Sequence, residues 1–187
     1  SRKWTAVDSN IGSAAFVGIP EITLGVNDAS ILVNKKATDN TVIDFKAMKT
    51  AGAAYEFVAG VDESGVAKTV VFEIDGKKGD LLKIEADVSI RLSEFFMLDG
   101  IIGFEKSTSQ VKLTKGVTTT QRAVNALVIT GGGLDAFVGV NGGTADETGL
   151  KLTNVSFALA MMKETVGTRS WFATKASAGG VEIVGLP

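Results

Sequence analysis

The chain has no cysteine and no histidine, and it carries only two prolines, two tryptophans and one tyrosine. Without cysteine there are no disulfides and no thiol chemistry, and without histidine the usual general base near neutral pH is missing. Together these absences remove the ligands of most structural zinc sites. The apolar runs are broken by glycine or charge well short of the ~18 residues of a membrane-spanning helix, so no transmembrane segment is expected. Two tryptophans and one tyrosine are too few for the two aromatic girdles of a membrane β-barrel. The formal net charge is -2, so no broad positive field exists to hold a phosphate backbone, and nucleic acid is not an expected partner. No basic start followed by an apolar stretch and a cleavage site opens the chain, and its first residue is Ser1. An excised fragment is the expectation, with any export signal elsewhere in the parent. A cysteine-free chain suits a large exported bacterial protein better than a small disulfide-stapled one, so an extracellular or cell-surface location is expected.

What is present is enough for one buried core or two small ones: 187 residues, 45% of them hydrophobic. The two ends of the chain match without a gap. Arg2 to Pro20 reads RKWTAVDSNIGSAAFVGIP and Arg169 to Pro187 reads RSWFATKASAGGVEIVGLP. Arg2, Trp4, Ala6, Gly12, Val17, Gly18 and Pro20 align with Arg169, Trp171, Ala173, Gly179, Val184, Gly185 and Pro187 at an offset of 167. Both tryptophans and both prolines of the chain fall inside this match. The expected organisation is one repeat period of about 167 residues over 1–168, with 169–187 starting the next. Fainter echoes suggest three degenerate subunits: Ala15-Phe16-Val17-Gly18 returns as Ala136-Phe137-Val138-Gly139 and loosely at Tyr55 to Val58. A second element recurs at Ile22 to Ile31, Leu82 to Ile90 and Leu150 to Phe157.

From Leu82 to Leu92 apolar and polar residues alternate, the period-2 pattern of a sheet with one covered and one wet face. After Ser93 the phase breaks as Phe95, Phe96, Met97 and Leu98 arrive together, which a β-bulge or a doubly buried strand would explain. Further strands are expected at Val70 to Ile74, Ile101 to Phe104, Val111 to Leu113, Leu134 to Val140 and Val181 to Val184. Gln121 to Ile129 and Ser156 to Glu164 contain helix formers, but their alternation and β-branched content favour strands. Turns are expected at Asp62 to Gly65, Asp75 to Asp80 and Asn141 to Gly143, and Asp99-Gly100 is a hairpin candidate. The fold class is all-β: elongated, mainly antiparallel sheets forming one unit of a tandem-repeat rod, with a β-sandwich as the alternative.

Chemistry is sparse. No serine stands in a nucleophile elbow, and Gly131-Gly132-Gly133 and Gly142-Gly143 lack the residues that follow in a phosphate loop. Paired carboxylates remain the one enzymatic option. Glu85 and Asp87, however, share their strand face with Lys83 and Arg91, a charge-balanced solvent surface. The chain is not expected to be an enzyme or to hold a cofactor. Calcium is the one metal considered, with Asp62, Glu63, Asp75 and Asp80 as oxygen donors in acidic turns, although none matches an EF-hand. Recurrence of tryptophan at the period places Trp4 and Trp171 in the seam between repeats, with Arg2 and Arg169 covering the rings and Pro20 and Pro187 closing the motif.

The strings GLDAFVGVNG (133–142), GLKLTNVSFALAMM (149–162) and IIGFEKSTSQVKL (101–113), with the tryptophan-to-FVGIP segment, resemble the long tandem repeats of giant bacterial secreted or surface proteins. Those repeats are adhesin-like and associated with calcium-repeat proteins. The resemblance spans essentially the whole chain and implies a structural spacer or scaffold repeat of an extracellular or cell-surface protein. Its partners would be adjacent repeats of the same chain, with lateral self-association as an addition. The alternative is a module that binds a glycan or another surface ligand.

Overall fold

The structure is a computed structural model and describes residues 2–16, 21–48 and 56–186. Its strands are β1 (Thr5–Phe16), β2 (Ile22–Lys35), β3 (Glu56–Val61), β4 (Ala67–Val71), β5 (Leu81–Leu92), β6 (Phe96–Lys115), β7 (Thr118–Val140), β8 (Thr148–Glu164), β9 (Ser170–Ser177) and β10 (Gly180–Val184). Only a short 3-10 turn at Gly76–Lys78 interrupts this all-β chain among the described residues. One large antiparallel sheet runs in the order β1-β2-β5-β6-β7-β8, and β9 and β10 lie end to end along the outer edge of β8. β3 and β4 form a separate hairpin. The large sheet does not close into a barrel, and no second large sheet covers it, so the sandwich alternative is not adopted.

Pleating sorts the side chains into two unlike faces. Ile31, Ile84, Phe104, Ile129 and Leu159 stand in register across five strands on one face, and Leu24, Ile90, Leu98, Ala136, Leu152 and Val181 form a second apolar row on it. The opposite face carries Lys83, Glu85, Ser89, Arg91 and Asp99. On it Arg91 Nη2 donates to both carboxylate oxygens of Asp99 at 3.1 and 3.2 Å and Ser89 Oγ donates to Asp99 at 2.7 Å. Alternation between Leu82 and Leu92 thus reports one strand of a two-faced sheet. The apolar face stays largely open: Ile84, Leu92, Val138, Leu150, Met161, Phe172, Val181 and Ile183 are all exposed. Total accessible area is 12468 Å², roughly half as much again as the ~8,500 Å² of a compact chain of this size.

Several sequence expectations shift in detail. Ile101 to Phe104 and Val111 to Leu113 belong to the single strand β6, and the predicted strand at Val70 to Ile74 stops at Val71, beyond which Ile74 is fully buried. Asp99-Gly100 is not a hairpin. Both residues lie inside β6, where Arg91 and Ser89 hold Asp99, and Gly100 (φ 134) sits against Leu134 at an irregularity with β7. The turn lies at Ser93–Phe95, where Ser93 takes φ 51 and Phe95 N–H donates to Leu92 O, so the phase break after Ser93 is a chain reversal and not a bulge. Gln121 to Ile129 and Ser156 to Glu164 are strand, within β7 and β8.

Irregularities line up across the sheet. Register shifts fall at Asn27/Ser30 in β2, Asp99/Ile101 in β6 and Gly131/Leu134 in β7, on neighbouring positions of the ladder, and bulges of this kind bend strands and increase their twist. Two of the three internal echoes share this geometry: Asp28 (φ 47) precedes Ala29-Ser30-Ile31 in β2 and Asn154 (φ 49) precedes Val155-Ser156-Phe157 in β8. The third, in β5, runs through Asp87-Val88-Ser89-Ile90 without a break and in the opposite strand direction, so it is not an equivalent subunit.

Buried side chains gather at two places: along β7 at Val124, Ala126, Leu134 and Phe137, and where the chain leaves β2. After β2 the chain folds back over the sheet, and Ala37, Phe45, Ile74 and Leu81 are buried there around Asn34, whose Nδ2 donates to Ile43 O at 2.7 Å. Phe45 meets Phe72 at 4.9 Å and Phe57 edge-on at 6.0 Å between centroids, tying the β3–β4 hairpin to the body. Because so few side chains are fully buried, each one matters. Ile74→Ala is expected to lower stability by about 2–5 kcal/mol, read as a lower urea midpoint, whereas Val117→Ala at the fully exposed β6–β7 turn should change it by less than ~0.5 kcal/mol.

Candidate repeat interface

The two copies of the matched segment occupy the two outer edges of one sheet. Residues 2–16 supply β1, hydrogen-bonded to β2, and residues 169–184 supply β9 and β10, hydrogen-bonded to β8. Six successive antiparallel pairings separate them, and an even number returns the chain to its starting direction, so β9 and β10 run parallel to β1. The faces agree as well. A continuous row runs Val7, Val33, Leu82, Lys106, Leu127, Met161, Phe172. Phe172 corresponds to Thr5, which lies on the same face of β1 as Val7.

Local geometry repeats too. The Arg2 guanidinium carbon lies 6.0 Å from the centre of the Trp4 ring, and that of Arg169 lies 5.8 Å from the centre of Trp171, a cation–π stack in both copies. The surroundings differ because the two copies face different ends of the unit. In the turn after β2, Asp39 accepts from Arg2 Nη1 at 3.2 Å, and Thr41 Oγ1 accepts from Trp4 Nε1 at 3.0 Å. Bonds from the Thr41 hydroxyl and backbone N–H, then Arg2, hold the Asp39 carboxyl below its ordinary value of 3.8. At the other edge, Glu164 ends β8 with its side chain buried, accepts from Arg169 Nη2 at 2.5 Å and lies 3.6 Å from Arg122 Nε. The Arg169 hydrogen bond, followed by the charges of Arg169 and Arg122, lowers the Glu164 carboxyl against the opposing effect of burial. Gly167 (φ 135) closes the turn over this carboxylate, and a Cβ there would stand 2.3 Å from Glu164 Oε2.

Trp171 is half-buried beside its partner Met162, and with Ala126, Leu127, Met161 and Phe172 it lines an open groove. Trp4 is 41% exposed. Pro20 and Pro187 lie outside the described residues. Asp39, Thr41 and Glu164 had no signal in the sequence: each occurs outside the matched segments, and the first two act 37 positions away from their partners.

The four calcium candidates are not brought together. Asp62 caps the β3–β4 turn by accepting from Ser64 and Val66 N–H, and Glu63 is exposed beside it. Asp75 accepts from Lys77 N–H at the 3-10 turn, and Asp80 accepts from Lys36 N–H at 3.1 Å. Among the described residues no three acidic side chains converge on a metal position.

The chain matches no family model, no curated protein and no solved structure.

Gly167→Ala is expected to push the Glu164 carboxylate off Arg169 and to raise hydrogen exchange in β9 without changing it in β5. The pH dependence follows from the lowered Glu164 carboxyl. The unfolded chain binds the proton first as pH falls, so the stabilisation is complete above the ordinary value of 4.5 and is lost as pH drops through the lower folded-state value. The difference in β9 protection between wild type and Glu164→Gln should therefore be present at pH 7 and vanish in strong acid.

Proposed function

We propose that this chain is a structural scaffold repeat whose sheet runs on from one unit to the next in a tandem array. The observation that carries the reading is the placement of the duplicated Arg-x-Trp segment on both outer edges of one sheet, with the same polarity and the same face outward. β9 and β10 then stand where β1 of a following unit would stand. An odd number of strands in the period, or a flipped face, would have broken the continuation.

Geometry sets the shape of such an array. Six strand spacings advance it by about 29 Å per unit, while strands of 17 to 23 residues lie across it over about 55–80 Å. The row from Val7 arrives at Phe172, two residues along from the equivalent of Val7, so successive units are offset by only about 7 Å along the strands. The result is a twisted ribbon, better suited to building a wall or stiff support than a thin stalk. Placement at the cell surface or outside it follows from the resemblance to giant bacterial repeats. The glycan reading is less favoured, because the groove that runs over Phe104, Leu127, Met161 and Phe172 is lined mainly by apolar side chains and offers few groups to bond sugar hydroxyls.

The test is a chain of two units, residues 1–187 followed by a second copy of residues 21–187. It should melt in one transition above that of the single unit, with the indole at the junction shielded from iodide. Two independent transitions at the single-unit temperature, with the junction indole still open to quencher, would sink the reading.

A further inference from the structure

We infer that the outer edge of β8 is an acceptor site for one particular strand, the Arg-x-Trp strand, and that residues 2–16 of a second copy of this chain can take it in place of residues 169–184. The inference rests on the tandem reading and adds exchange between separate molecules.

Three observations carry it. First, the strand now seated on β8 is the 167-offset copy of β1, in the same direction and with the same face outward. A β1 from another molecule therefore presents to β8 an edge of the right polarity.

Second, the two arginines use different nitrogens. Arg169 reaches Glu164 at the end of β8 through Nη2, and Arg2 reaches Asp39 of its own unit through Nη1, each stacked on its tryptophan. An arginine seated there thus has a separate nitrogen for each of the two carboxylates. An incoming β1 also brings Asp39 and Thr41 with it, contacts that Arg169 and Trp171 of the resident strand do not make among the described residues. The second copy is thus the more complete partner.

Third, no steric contact among the described residues of its own unit excludes a side chain at Gly12, which lies opposite Asp28 in the β1–β2 ladder. A Cβ at Gly12 meets nothing within 4 Å, and its φ is not in the left-handed region. Its counterpart Gly179 is confined by β8. A Cβ there would stand 3.0 Å from Asn154 Cβ of β8, and Gly179 N–H donates to Thr153 O at 2.9 Å. Glycine at position 12 fits a strand that is also required to lie against β8 of another unit.

The experiment uses the full chain with a protease site placed in the exposed turn at residues 165–168, cut only after folding. A dye-labelled peptide of residues 2–20 should replace the released strand, read by anisotropy. After the released strand is dialysed away, the cut molecules should associate head to tail, read by sedimentation. A Gly12→Val peptide should bind at least about tenfold more weakly, and Glu164→Gln in the cut protein should weaken the wild-type peptide by about tenfold. Gly12→Val in the intact chain should leave its melting temperature unchanged or raised, since valine favours strand.

The inference fails if cut protein of unchanged circular dichroism rebinds the peptide of residues 169–187 but not that of residues 2–20. It also fails if the Gly12→Val peptide binds as well as wild type, or if the cut protein unfolds and neither peptide restores it. A two-unit chain that melts as one body while the cut unit refuses the peptide leaves the tandem reading standing and removes exchange alone. Peptide binding beside an uncoupled two-unit chain does the reverse.

Discussion

Every strand of a sheet has two edges of backbone N–H and C=O groups, and the outermost strand must leave one edge without a strand partner. In this protein that constraint governs more than any side-chain contact. Its main body is a single antiparallel sheet whose neighbours in the ladder are also neighbours in sequence, apart from the excursion through β3 and β4 and the pairing of β10 with β8 beyond β9. Among the described residues no strand joins the two ends, so the outer edges of β1 and of β9 with β10 have no strand partner. Natural sheets commonly blunt such edges with charge or proline, yet β1 carries only one charged residue, Asp8, between Thr5 and Phe16. An edge so lightly defended is consistent with one that meets a strand of its own kind.

The same economy appears in the core. Burial is divided between β7 and the stretch where the chain doubles back after β2, over Asn34 and Leu81, and this fold-back is what brings Asp39 and Thr41 beside Arg2 and Trp4. At the far edge the work is done by a short turn, where Thr165 N–H donates to Ala123 O and Glu164 N–H to Arg169 O, aiming the arginine back along β8. Stable packing and the edge contacts are therefore coupled through backbone, and not only through the apolar surface that the sheet displays.

Legibility from sequence followed the regularity of the backbone. β5 was readable because eleven residues alternate without a break, and the strand runs over Leu81–Leu92. β6, β7 and β8 were read in pieces, because Gly100, Gly131 to Gly133 and Asn154 interrupt the period at bulges that do not end the strands. Asp99-Gly100 misled for a physical reason: the pair suits a tight turn, but a bulge wants the same positive φ at glycine. The tight turn at Ser93 and Glu94 lacks glycine, proline and asparagine, and the apolar run that follows it reads as a bulge. Arg2, Trp4, Arg169 and Trp171 were legible because they recur; their partners Asp39, Thr41 and Glu164 were not, since the chain holds one copy of each surrounding and recurrence was the only signal available.

The apolar face follows from the same parity that matches the edges. Since Phe172 falls on the face of Val7, a sheet continued through this edge keeps Ile84, Ile129 and Leu159 on the side where the next unit places their counterparts. The apolar strip of one unit is then extended and not interrupted at each junction. A monomeric surface seldom leaves so much contiguous apolar area open, so the pressure to cover it grows in proportion to the number of units joined. Bulges bend strands, and the residues at the irregularities of this sheet, Asp28 in β2, Gly100 in β6, Gly133 in β7 and Asn154 in β8, take positive φ at neighbouring heights, with only β5 running through regularly. In a sheet continued from unit to unit, curvature would thus be set by a few backbone conformations, and continuation by the polarity that an even number of pairings restores.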